Sequence, residues 1–153
     1  MKALLLITIL VTCSFSQTGI FIKSTCNGPT GERLIYQVKQ DIDRSNLFNL
    51  VEDSSYAKIQ LILSTLDPKD HGTAQDDPLN MTKALKPYTV YSVVWAVRIP
   101  LNQVGDPRFY WDTYVGICGS ERVLNVAEDI VDKTEEISRT YIELVREVVK
   151  ERG

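Results

Sequence analysis

Catalytic side chains are what this sequence has least of. Its 153 residues include one histidine, His71, and three cysteines. A lone imidazole cannot assemble a zinc centre. The acidic stretch around it, with Asp67, Asp70, Asp76 and Asp77, lacks the alternating oxygen ligands, central glycine and closing glutamate of a calcium loop. Nucleophile elbows, phosphate-cradling glycine loops and dinucleotide fingerprints are missing as well, so no cofactor is expected. Carboxylates are the exception: with 20 Asp and Glu, a pair could meet in space, which keeps a small carboxylate-dependent hydrolase as an alternative. Basic charge is also in deficit. A net charge of -3 at pH 7 argues against the electrostatic grip on phosphates that nucleic-acid binding needs.

Long apolar runs are confined to the first residues. Met1-Lys2, then Ala3 to Val11, then Ser14-Phe15-Ser16 ahead of Gln17 reads as the charged, apolar and small-residue regions of a secretory signal. Residues 1–16 are therefore expected to be removed on export to the periplasm or the extracellular space. The apolar run is shorter than the roughly 20 residues of a bilayer span, and charges interrupt every later apolar stretch. Leu10-Val11-Thr12-Cys13 approaches a lipobox, so retention of an acylated Cys13 is the alternative to cleavage after Ser16. Only that route would place the protein at a membrane. Residues 17–153, without repeat or linker, then form a single domain. In an oxidising compartment the remaining even pair, Cys26 and Cys118, is expected to form a disulfide.

Along that domain, the β-branched run Thr18 to Thr25 ends at the breaker Cys26-Asn27-Gly28-Pro29 and predicts a strand. Thr30 is expected to cap a helix in which Leu34, Ile35, Val38 and Ile42 recur at helical spacing. Residues 47–51 form a short extended segment, and Ala57 to Ser64 alternates as a strand with one wet face. Tyr88 to Ile99, apolar on both faces, predicts a central strand. It is joined through Gly105-Asp106-Pro107 to a hairpin partner, Phe109 to Cys118. From Ser120 to Arg152 a single helix is expected, capped by Gly119-Ser120, with Asp129/Lys133 and Glu135/Arg139 as i,i+4 pairs. The sum is an α/β (α+β) two-layer sandwich: a mixed, mostly antiparallel sheet of four or five strands with two helices on one face, in the order β-α-β-β-β-β-α. For the cysteines to bond, their strands must end on the same side, so the 47–51 segment should be short and should not reverse the chain. At 1.5 Å per residue, the last helix should outrun the sheet after about Tyr141.

A strand, a helix ending near Asn46-Leu47-Phe48, a short Phe-x-Leu-Val strand, an Ala-x-Ile-x-Leu-Ile-Leu strand, a hairpin and a terminal helix together resemble the amino-terminal domain of TolB and related bacterial envelope modules. The resemblance covers most of residues 18 to 137. It implies a non-catalytic docking or assembly module and brings no catalytic or ligand motif. The chain departs from TolB in lacking a propeller and in having the cysteine pair.

Two surfaces are candidates for a partner. On the last helix, the seam of Val123, Ala127, Ile130, Thr134 and Ile137 continues into Tyr141, Leu144, Val145 and Val148, more than an overhanging end should leave in water. In the hairpin, parity puts Phe109, Trp111, Val115 and Ile117 on a core face and Tyr110, Asp112 and Tyr114 on the other, where Tyr110 and Tyr114 would form an aromatic strip. The stretch 67–86 is long for a compact domain and reads as a solvated loop. Within it, Leu79 to Leu85 follows Asp77-Pro78 as a short helix, and Asn80-Met81-Thr82 is a glycosylation sequon that matters only in a eukaryote. The expected function is an exported protein-binding or envelope-assembly module working through self-association or a protein partner. The alternatives are the carboxylate hydrolase and a secreted inhibitor presenting the 67–86 loop.

Overall fold

In a computed structural model of the chain, residues 17–68, 87–99 and 107–150 are described. Cys13 and the signal segment, His71, the sequon, the expected helix at 79–85 and the 100–106 turn lie outside the described residues.

Strands β1 (Thr18–Thr25), β2 (Phe48–Leu50), β3 (Ile59–Leu66), β4 (Tyr88–Arg98) and β5 (Arg108–Gly119) form one sheet in the order β2-β1-β3-β4-β5. Helices α1 (Pro29–Arg44) and α2 (Val123–Lys150) follow β1 and β5. β1 runs parallel to β2 and β3, whereas β4 is antiparallel to both β3 and β5. The α+β sandwich is thus the observed architecture. Both helices cover one face of the sheet. There Ile20, Leu61, Leu63, Val93, Trp95 and Val97 meet Leu34, Val38 and Ile42 of α1 and Ala127, Ile130 and Ile137 of α2, all essentially without exposure. Each such Leu, Ile or Val contributes about 1.5–3 kcal/mol by leaving water, so the periodic stripe of each helix decides which side it turns to the sheet.

Two buried polar contacts tie α2 to the strands. The Trp95 indole N–H donates to the Thr134 hydroxyl at 2.9 Å, and that hydroxyl donates to the Ile130 carbonyl at 2.7 Å. Lower on the helix, the Ser138 hydroxyl donates to that of Thr18 at 2.9 Å. Ser138 therefore sits over the start of β1.

As expected, β2 is only three residues long and does not reverse the chain. The connection to β3 instead crosses β1 on the face the helices leave open. It passes at Gly19, where a Cβ would lie 3.2 Å from the Tyr56 carbonyl. On the way, Val51 N–H donates to Ile20 and Lys58 N–H to Gly19, both at 2.9 Å. Arg98 and Arg108 reach across to donate to the Ser55 and Ser54 carbonyls, and Arg108 also donates to Gln60 at 2.7 Å.

The disulfide is not formed. Cys26 and Cys118 do end on the same side of the sheet, but β3 and β4 stand between their strands. Three interstrand steps of about 4.8 Å exceed the roughly 4.4–6.8 Å between Cα atoms that a disulfide spans. Both are free thiols, Cys26 exposed and Cys118 buried, and burial pushes the Cys118 thiol above its ordinary pKa.

The helix starts also differ from expectation. Gly28, at φ 95°, precedes α1, and Pro29 opens it. Thr30 is not the cap; its N–H is instead the capped group, donating at 3.1 Å to Asp67 Oδ2 from beyond the end of β3. A Cβ on Gly28 would fall 2.3 Å from that oxygen, so the positive φ and the close approach both call for glycine. Asp67, expected in a solvated loop, is 6% exposed. Residues 119–122 form a turn, with Arg122 N–H donating to the Gly119 carbonyl at 2.9 Å, and α2 begins only at Val123.

Candidate functional site

The described surface with most to offer a partner is β5 and the α2 flank beside it. β5 pairs with β4 alone, so among the described residues its outer edge has no strand neighbour. Ser120 N–H points inward, donating to Pro87 at 2.9 Å, while Thr113 N–H is turned aside to Asp112 Oδ1 at 2.7 Å. Backbone groups in an antiparallel strand alternate in direction. The N–H and C=O groups of Val115 and Ile117, and the C=O of Thr113, therefore face outward.

The side chains of β5 do not follow simple parity, because the pairing with β4 slips between Trp95 and Ala96 and leaves Trp111 as the extra residue. A bulge of this kind ends the alternation on which sequence parity depends. Above it, Asp112, Tyr114 and Cys118 lie on the helix side, opposite Trp95, Val93 and Thr89. Val115 and Ile117 fall on the open face, 64% and 65% exposed, and are not core. Tyr110, opposite Ala96, joins them there, so Tyr110 and Tyr114 lie on opposite faces and do not form one strip. Phe109, opposite Val97, is on the helix side but 41% exposed.

On the helix side, β5 and α2 bound a cleft of about 280 Å³. Trp95 and Ile130 form its floor, Tyr114 one wall, and Asp112, Asp129 and Lys133 its rim. Lys133 does not pair with Asp129 as the i,i+4 spacing implied. Its ammonium lies 3.0 Å from Glu136 and 3.5 Å from Asp112, and the bond to Glu136, reinforced by Asp112, raises its pKa. The other anticipated pair is present, with Arg139 3.4 Å from Glu135. Behind Tyr114, the Tyr91 ring stands with centroids 5.8 Å apart. Burial, together with the hydrogen bond to Tyr114, pushes the Tyr91 phenol above its ordinary pKa.

At this cleft Asp112 accepts from Thr113 N–H through one oxygen and faces the Lys133 ammonium with the other. Among the described residues, no three His, Cys, Asp or Glu converge as metal ligands, and no helix is long and apolar enough to cross a membrane.

At the far end of α2, the expected partner seam is largely used internally. Tyr141 is 6% exposed and belongs to the core, where burial raises its pKa. Val145 packs against the same core, and Leu144 and Val148 are half-buried. Sequence reading missed Val115 and Ile117 as surface residues and Trp95, Asp129 and Lys133 as one cleft. Nothing in the residues announced the bulge. No family model and no curated protein sequence matches this chain.

Proposed function

We propose that this chain is an exported, non-catalytic protein-binding module that receives an extended segment of its partner along the edge of β5. The observation that carries the reading is the row of outward backbone groups at Val115 and Ile117 with the Thr113 carbonyl, the Thr113 N–H being held by Asp112, next to two β-branched side chains about two-thirds exposed. Such an edge is an open template for strand addition, which natural proteins normally cover or charge. The resemblance to TolB-type envelope modules is in keeping with this role.

The test is a selection of short strand-forming peptides against the full chain, with binding followed by fluorescence anisotropy. Selected peptides should lose binding to Ile117→Lys and keep it with Lys133→Ala, which alters the cleft rim but not the edge. Peptides insensitive to Ile117→Lys, or a selection that yields no binder, would refute the reading.

A further inference from the structure

We propose that the partner on β5 is a second copy of this chain, its own β5 running antiparallel about a two-fold axis at Val115. The proposal rests on the reading of β5 as a docking edge and names what docks there.

The register follows from where the strand is regular. Below Asp112 the bulge at Trp111 re-aims the backbone, and past Gly119 the chain turns away. Between these limits the outward groups belong to Thr113, Val115 and Ile117, and Val115 is the middle one. A two-fold there makes Val115 face its own copy across a hydrogen-bonded pair, while Thr113 faces Ile117 and Tyr114 faces Gly116. These are the β-branched and aromatic combinations that stabilise cross-strand pairing. Charge does not oppose the arrangement, because the only charged residue in the stretch, Asp112, falls opposite Cys118 and not opposite another carboxylate. On the helix side Gly116 is already covered by Tyr91, whose hydroxyl would lie 2.7 Å from a Cβ there, so Tyr114 of each copy would meet the Tyr91 ring of the other. It would thereby extend the existing Tyr91–Tyr114 contact across the axis.

Within the paired stretch Tyr114, Val115 and Ile117 are 50–65% exposed, leaving on the order of 400 Å² bare per copy. Two copies would bury at most about 800 Å², the size of a weak, concentration-dependent contact. An isologous contact also closes on itself, consuming both edges without leaving a new one to propagate.

Sedimentation of the full chain at about 50 µM should give a dimer, and Val115→Lys, which sets two like charges face to face, should weaken it by about a hundredfold. Unchanged circular dichroism will establish that the variant is folded. A second measurement reads the register: in a Cys26→Ser background, Val115→Cys should cross-link to its own copy on oxidation, since directly opposed Cα atoms stand about 5.5 Å apart. Ile117→Cys should cross-link only when mixed with Thr113→Cys. A monomeric wild-type chain, a dimer indifferent to Val115→Lys, or equal self-linking at 115 and 117 would overturn the proposal. A monomer whose selected peptides still lose binding to Ile117→Lys would sink the self-pairing alone, whereas a monomer that binds no strand-forming peptide would sink the docking reading with it.

Discussion

The join between Trp95 and Thr134 can be measured as a unit. Thr134→Val preserves shape and β-branching but leaves the indole N–H of Trp95, 1% exposed, without its acceptor. An orphaned buried donor costs about 1–3 kcal/mol, so Thr134→Val should destabilise by about 2 kcal/mol. Trp95→Phe removes the donor itself and part of the ring. The lost contacts and the small cavity should cost about 2 kcal/mol, below the roughly 3–5 kcal/mol of a full aromatic truncation. Once the indole is gone, however, Thr134→Val takes nothing further from that bond. The double variant should therefore lie about 1–2 kcal/mol closer to the wild type than the two single losses added together. Urea unfolding followed by far-ultraviolet circular dichroism gives all four stabilities on one scale. Additivity within about 0.5 kcal/mol would mean that the hydrogen bond does not couple α2 to β4.

Other consequences are open to measurement. Asp67→Ala removes the acceptor for Thr30 N–H and should cost about 1–3 kcal/mol, lowering the thermal midpoint, with Asp67→Asn milder because it keeps an acceptor oxygen; equal losses would argue against the cap. In a thiol-reagent assay, Cys26 should react in the native protein and Cys118 only after unfolding, and a reductant should leave the unfolding midpoint unchanged; a midpoint that fell with reductant would reveal a bond. Cys118, Tyr91 and Tyr141 all have folded pKa values raised above ordinary values of 9.0, 10.0 and 10.0. Their contribution is complete below those ordinary values and is lost as pH rises through the folded ones, because the unfolded chain releases the protons first. Stability should accordingly decline from about pH 9 upward, and Tyr91→Phe should flatten that decline; a pH-independent midpoint between 9 and 11 would contradict the burial of these groups.

The parts of the fold that were legible are those in which neighbouring residues carry the signal. The stripe Leu34, Val38, Ile42 repeats within one element, so α1 and its buried face could be read directly. The alternation of Ile59, Leu61 and Leu63 marked β3 in the same way. The cysteine argument reached half of its answer: the strands do end on one side and 47–51 does not reverse the chain, although the disulfide from which this was drawn is not formed. Which strands lie side by side could not be read, since no local residue pattern records that β3 inserts next to β1. The site was harder still. Trp111 becomes an extra residue only through its mismatch with Trp95 and Ala96, so parity misassigned Val115, Ile117 and Tyr114 together while placing Tyr110 correctly. Asp67 was hidden for a similar reason: its partner is the backbone of Thr30, 37 residues earlier, and a backbone N–H leaves no mark in a sequence.

The bond from Ser138 to Thr18 spans 120 positions of the chain. It lies within a core that α2 completes with Val126, Ala127, Ile130 and Ile137. A ribosome will therefore have released everything from Thr18 to Ser138 before this core can close. Until α2 emerges, α1 alone covers the sheet and Trp95 lacks the Thr134 hydroxyl, so a growing chain carries a sheet or its precursors with one side only partly covered. Removal of the last helix should accordingly leave no smaller native domain behind. For as long as synthesis lasts, the chain remains a substrate for whatever holds unfinished proteins apart.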